Sequence, residues 1–444
     1  MVFSVNDLER VAFWFSFVSG VFILIVNYKL TKKLILFSNI FLCFSILYGC
    51  SGPFSVLYAE GLHFLYPKPY YVSDYIFHYS LSNVGIIIGF IFYKFFCIEK
   101  KEKFDSLVSG YNFLNAAIVF SFLSFVMEFI NIYRIGGLGT LIKGKAFVQS
   151  SISDLFITLP SYNFLYVSVF LFGIFLVQSK KNEFRTHKVK YILFLTPIFF
   201  VLLSYIFLGQ RGRVAIAIVG FLLAITWFVK QQKVKFKHIL LILIVYIFMV
   251  LMVGVRGKIG YVVQTGNWDI IKNDITNSEF WLSNINPGTT EFGCTFGNFN
   301  AYILNDFNKL RWGYSYISGL SIVIPRFIWP NKPQSVVYEF RDKFFFSESL
   351  RGRIAGTAYS SILEAYENFG TFGVFFVYSI YGIFLRWIEY YRRINEANVK
   401  HMIFYAMLLP VAISFHRSAF GFPIFWPLVM TFSVSFFMKC SKKP

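Results

Sequence analysis

The sequence predicts an all-α polytopic membrane protein of about eleven transmembrane helices with one large extracytoplasmic loop. Three observations predict it. First, 57% of the 444 residues are hydrophobic, only 14% are charged, and mean hydropathy is +0.60; a soluble domain would carry roughly a quarter charged residues. Second, apolar runs of about 17–25 residues recur along the chain, each long enough to cross a ~30 Å hydrocarbon core. Third, basic residues collect in alternate connections between those runs. Barrel strands would instead give alternating segments of about ten residues.

The predicted spans follow in order. The first, 10–28, lacks a basic segment before its apolar run and so is a true span, with no cleavable signal peptide evident. The basic segment 29–33 separates it from the second, 34–58. The third, 76–98, runs into the Lys-rich segment 94–103, and the fourth covers 112–133. The fifth, 159–178, ends at the basic segment 180–190, after which the sixth covers 191–208. The seventh, 213–229, and eighth, 238–254, flank the basic segment 230–237. After the long loop come 361–385, then the basic segment 386–400, then 402–415 and 422–438, with a basic tail at 439–444. The organisation is therefore helices one to eight over 1–254, an extracytoplasmic loop over 255–357, and helices nine to eleven with a cytoplasmic tail over 358–444.

Charge sets the orientation. The six basic segments hold 23 Lys plus Arg, and the alternate short connections hold eight. Lipid charge and membrane potential keep basic residues on the cytoplasmic side, so the N-terminus lies outside and the C-terminus inside. Most of the net charge of +20 is thus a topology signal, and it argues against nucleic acid as a partner. The loop 255–357 carries eleven Lys plus Arg, but long loops escape the positive-inside count. Stretches such as "YSYISGLSIVIPRFIW" within it are amphipathic enough to lie along an interface. The five cysteines (Cys43, Cys50, Cys97, Cys294, Cys440) show neither CxxC nor metal spacing, which argues against a disulfide framework.

Under this topology Arg211, Arg213, Arg256 and Arg417 share the outer-leaflet depth although they come from three parts of the chain. A guanidinium is always charged and its planar fork matches phosphate oxygens. Arg211 and Arg213 also open a helix, whose free N–H groups and dipole favour an anion. Being two residues apart, they do not both face one ligand. Snorkelling to lipid headgroups is the competing reading for each, but short external turns are otherwise poor in basic residues here. The acids of the loop, Glu291 among them, and Glu364 and Glu367 at i,i+3 spacing are candidates for a general base toward a sugar hydroxyl, or are solvated or ion-paired. His416, beside Arg417, either carries a proton near neutral pH or is a packed, hydrogen-bonded ring. Glu128 and His78 fall inside spans, where an ionisable group defaults to a functional hypothesis unless it is bonded across helices. There is no DxD, HExxH, GxSxG or P-loop. The reading is metal-independent, with no cofactor, and arginines supply the charge stabilisation a metal would give.

These residues carry a family resemblance. "FLGQRGRVAIAIVGFLL" resembles the arginine-bearing span of the Wzy-type oligosaccharide repeat-unit polymerases, which build O-antigen, enterobacterial common antigen and capsule chains. "VIPRFIWPNKP" (323–333) resembles the Pro-aromatic-Pro element of their large periplasmic loop. "GTAYSSILEAYENFGTFGVFFVYSIYG" (356–382) resembles the Gly-rich start of the following span, and "FHRSAF" stands where they bear an arginine in a turn. The resemblance implies a GT-C-like integral-membrane glycosyltransferase of the bacterial inner membrane, acting on its outer face. It implies undecaprenyl-diphosphate-linked oligosaccharides as donor and acceptor, membrane lipids around them, and a chain-length regulator and flippase as further partners. It implies that Arg211, Arg256 and Arg417 contact diphosphates. Beside it, the residues themselves offer His416, Glu291 and Glu364 as further catalytic candidates and Arg213, Arg326, Lys332 and Arg353 as substrate-binding ones. Competing classes are an O-antigen ligase of the same architecture, a polysaccharide flippase or transporter, which would show midplane charge pairs and related halves, and a non-catalytic scaffold.

Overall fold

The computed structural model describes residues 5–59, 68–96, 113–142, 160–179, 188–208, 210–227, 258–285, 292–305, 310–321, 328–333, 335–344, 359–396, 398–420 and 425–440, with Ile244, Ile247, Val250, Leu251, Val255 and Ile324 besides. Among these residues there is no strand. Among the described residues eight helices are long and apolar enough to cross a membrane: Asp7–Thr31, Phe37–Tyr58, Val72–Phe96, Phe113–Arg134, Ser161–Gln178, Lys188–Phe207, Ser361–Ile394 and Val399–Arg417. Two shorter apolar helices, Gly212–Thr226 and Pro427–Phe436, match the expected seventh and eleventh spans. The expected eighth span, 238–254, lies mostly outside the described residues.

The chain forms two compact units. The first comprises Met1–Lys103, Asn286–Asn395 and Leu408–Leu428; the second comprises Phe104–Ile285, Glu396–Met407 and Val429–Pro444. The expected loop 255–357 is therefore shared, with 258–285 in the second unit and 292–344 in the first.

In the first unit, α1 (Val5–Thr31) packs on α2 (Phe37–Tyr58) and α3 (Val72–Phe96). In the second, α4 (Phe113–Arg134) packs on a short helix α5 (Leu138–Ile142), on α6 (Ser161–Gln178) and on α7 (Lys188–Phe207). Helix α8 (Arg211–Thr226) packs on α6 and α7. The loop adds α9 (Ile259–Thr265), α10 (Asp269–Thr276) and α11 (Ser278–Ile285) to this unit, and Lys258 pairs with Asp274 at 2.6 Å. To the first unit it adds α12 (Cys294–Leu304), α13 (Tyr314–Leu320) and α14 (Val336–Phe344).

Helix α12 is not a surface feature. Thr295 to Tyr302 are all buried. Phe296 sits where a Cβ on Gly52 of α2 would stand, Thr295 donates to the Tyr48 carbonyl at 3.0 Å, and Asn300 bonds the Tyr71 N–H and the Pro69 carbonyl. Part of the predicted loop is thus core of this unit, which its polar Asn and Thr residues conceal in a hydropathy reading.

Helix α15 (Ser361–Ile394) is the longest, and its close partner is α3. The two meet through glycines. A Cβ at Gly382 of α15 would stand 2.5 Å from the Ile86 carbonyl, and one at Gly85 of α3 would stand 2.6 Å from the Phe375 carbonyl. Without a hydrophobic drive between apolar helices, such close backbone approach is a common way for them to associate in lipid. The expected span 361–385 is not one continuous rod: Gly370 has φ 67° and ψ −159°, a conformation open essentially only to glycine, and it divides α15 in two. The last elements are α16 (Val399–Ser414), a 3-10 turn at Phe415–Arg417 and α17 (Phe425–Cys440).

Candidate functional site

The break at Gly370 organises a polar cluster in the first unit. A helical carbonyl at position i bonds the N–H at i+4, so a break at 370 leaves nearby carbonyls without that partner. The carbonyls of Glu367 and Asn368 accept instead from the N–H groups of Arg311 and Trp312, both at 3.0 Å. The loop thereby docks on the broken helix by its backbone. Trp312 (φ 49°) and Gly313 (φ 83°) take left-handed conformations at that point, turning the chain into α13.

Side chains reinforce the docking. The Arg311 Nε lies 2.6 Å from Glu367 Oε1, and its Nη1 lies 2.7 Å from Glu339 Oε2 on α14. Burial on its own would lower the Arg311 pKa, but the Glu367 charge and the bonds to Glu339 and Glu367 outweigh it and raise the value. The Tyr359 hydroxyl donates to the other Glu367 oxygen. Burial, then the Glu367 charge, push that phenol well above its ordinary range, so it remains a donor.

One turn earlier, Glu364 is 1% exposed and both its oxygens are engaged. Oε1 accepts from Ser315 Oγ at 2.7 Å, and Oε2 accepts from the Phe420 N–H at 2.8 Å. Asn368 donates to Ser315 Oγ and to the Glu364 carbonyl, each at 2.7 Å. The Glu364 carboxylate therefore ties three pieces together: the first arm of α15, helix α13, and the turn that bears Arg417.

The candidates read from the sequence fall out as follows. Glu364 and the Arg417 turn are brought together in this unit, and Arg417 is exposed. His416 is 3% exposed; its Nε2 bonds the Phe41 carbonyl at 2.9 Å and its ring lies 4.3 Å from that of Phe41. It is the packed, hydrogen-bonded ring of the two readings. Lys332 donates to the Ile324 carbonyl at 2.8 Å. Arg211 and Arg213 open α8 in the second unit, where Arg213 lies over the rings of Tyr162 and Tyr205. The side chain of Arg211 and residues Arg256, Glu291, Arg326 and Arg353 lie outside what is described.

Sequence reading missed Arg311, Ser315 and Asn368. Their meaning comes from pairings across 28 to 56 residues, and no local spacing announces them. The signal that was available is "EAYENFGTFG": two glycines after a pair of acids mark a helix that breaks beside its own charges.

Comparison with known proteins reaches part of this segment of the chain. Residues 325–443 match the family model described as O-antigen polysaccharide polymerase Wzy. That segment holds α14 to α17, including Glu364, Glu367 and the Arg417 turn. Comparison with curated proteins and with solved structures finds no match. Over residues 325–443 the chain is similar to the O-antigen polysaccharide polymerase Wzy family, the family that its sequence motifs resemble.

Proposed function

We propose that the protein is a GT-C-like polysaccharide repeat-unit polymerase of the bacterial inner membrane. It transfers a growing glycan from undecaprenyl diphosphate to the non-reducing end of an incoming lipid-linked repeat on the outer face. The observation that carries this reading is the family match over the segment built around the broken α15 and the Arg417 turn. In the reaction the bond from the anomeric carbon to the diphosphate oxygen breaks. A bond from that carbon to an acceptor hydroxyl oxygen forms, and the hydroxyl proton is released.

Negative charge grows on the departing diphosphate, so cations placed beforehand stabilise the transition state more than the ground state. Both substrates carry a lipid diphosphate. Arg417 in one unit, and Arg211 and Arg256 in the other, each serve such a group. Glu364 is a positioning residue on this reading: it holds the Phe420 N–H and so fixes the turn three residues from Arg417.

Replacing Arg417 by Lys tests the assignment. Lysine keeps the charge and the long stem but lacks the bidentate fork. A residue that only anchors to headgroups is served nearly as well by lysine. A diphosphate ligand is not, and chain extension by purified Arg417→Lys should slow by about one to three orders of magnitude. Extension at the wild-type rate, with normal protein level in the membrane, would remove Arg417 from the site.

A further inference from the structure

A second polar cluster lies inside the second unit, where the ends of four apolar helices converge. Glu128, on the last turns of α4, is 1% exposed and is the one acidic residue in α4, α6, α7 and α8. Ser204 of α7 donates to its Oε1 at 2.8 Å and Ser161, the first residue of α6, donates to its Oε2 at 2.5 Å. With its proton turned to Glu128, the Ser161 oxygen is left to accept, so the Tyr205 hydroxyl 2.9 Å away donates to it. The order of donation is then fixed: Tyr205 to Ser161 to Glu128.

At the other end of this chain is Arg213. Its guanidinium carbon lies 5.2 Å from the centre of the Tyr205 ring and 5.1 Å from that of Tyr162. Among the described residues no carboxylate pairs with Arg213, although Glu128 belongs to the same cluster. A buried acid and a nearby guanidinium would ordinarily neutralise each other, since breaking such a pair costs several kcal/mol. Here the acid is spent on two hydroxyls and, at 3.5 Å, the Asn131 amide, and the cation lies against two ring faces and the Tyr205 hydroxyl. Ring faces attract a cation without consuming its N–H bonds as a carboxylate fork does. The Tyr205 hydroxyl orients the guanidinium by taking part of its donor fork, and the remaining N–H groups stay able to donate to an oxyanion.

We propose that Arg213 binds a phosphate oxyanion of the lipid-linked substrate and that Glu128 is its positioning residue, acting through Ser161 and Tyr205. The link runs from a carboxylate that polarises two hydroxyls in series to the aromatic face that holds the guanidinium. This rests on the reading of the substrates as lipid diphosphates. It adds a residue, Glu128, that makes no contact with them.

The test is a double-mutant cycle on the full-length protein in nanodiscs, with undecaprenyl diphosphate as the binding probe and chain extension as the second readout. Arg213→Lys should weaken probe binding about tenfold, the loss of a charge-assisted hydrogen bond. Glu128→Gln and Tyr205→Phe should each weaken it about threefold or more and raise KM with little change in kcat, the pattern of lost ground-state binding. In the Arg213→Lys background, Glu128→Gln should have almost no further effect on binding, because both changes remove one interaction. Glu128→Asp, which keeps the carboxylate, should recover part of the affinity. If Glu128 only glues helices, the two substitutions will add fully and the unfolding temperature will fall while probe affinity stays constant; that result overturns the proposal. Should Glu128→Gln fail to accumulate in the membrane, Tyr205→Phe with Arg213→Lys gives the same cycle, and additivity there overturns it equally. Wild-type protein that binds the probe with the expected coupling but extends no glycan would instead refute the polymerase reading and leave this inference standing.

Discussion

Arg311 and Glu367 are joined twice: the guanidinium Nε lies 2.6 Å from the carboxylate, and the Arg311 N–H donates to the Glu367 carbonyl at 3.0 Å. One contact is ionic and the other uses the backbone freed by the helix break. Arg311→Ala removes the first and leaves Glu367, 7% exposed, with Tyr359 alone. Removing one partner of such a pair costs on the order of 3 kcal/mol. A clear fall in the unfolding temperature of the detergent-solubilised protein is expected. In the Arg311→Ala, Glu367→Gln double variant the loss should be smaller than the sum of the two single losses.

Gly370→Ala should destabilise the protein by about 1–3 kcal/mol, the cost of forcing a side chain into this backbone region. Crowding is not the reason, since the nearest atom to a Cβ there is Leu310 Cδ2 at 3.9 Å. Thermal unfolding of the variant measures it. An unchanged midpoint would mean that the break moves elsewhere at no cost.

The orientation is testable at two exposed positions, Lys272 and Lys400. In a cysteine-free background, Lys272→Cys should react with a thiol reagent that cannot cross the inner membrane. Lys400→Cys should react only after permeabilisation. The reverse pattern would invert the topology and move the proposed chemistry to the wrong face.

Chelation should leave chain extension by the purified protein nearly unchanged, because the sequence holds no DxD and the proposed charge stabilisation comes from arginines. Activity lost to EDTA and restored by Mg²⁺ or Mn²⁺ would refute that.

Much of the helical layout was legible because a span announces itself: about twenty apolar residues in a row have few other uses. The i,i+3 pair Glu364 and Glu367 was legible as one face for the same local reason. Their partners were not. Whether Glu364 meets solvent or Ser315 depends on a contact across 49 residues. Burial of α12 was hidden too, since Asn298 and Asn300 read as loop residues although both are fully enclosed. His416 stood between two readings until the Phe41 carbonyl appeared opposite its ring. Glu128 was flagged by its depth alone, and only the serines across from it show what it holds.

The glycine seam between α3 and the long arm of α15 has a mechanical consequence. Gly89 and Gly382 meet backbone to backbone, leaving no compliant side chain between the two helices. Close-packed matter of this kind deforms little and transmits strain. The two helices therefore behave as one stiff beam, and neither slides along the other without driving carbonyls into Cα atoms. The seam ends at Gly370, and the nine-residue arm before it is held instead by the bonds of Glu364 and Glu367 to α13, the Arg417 turn and Arg311.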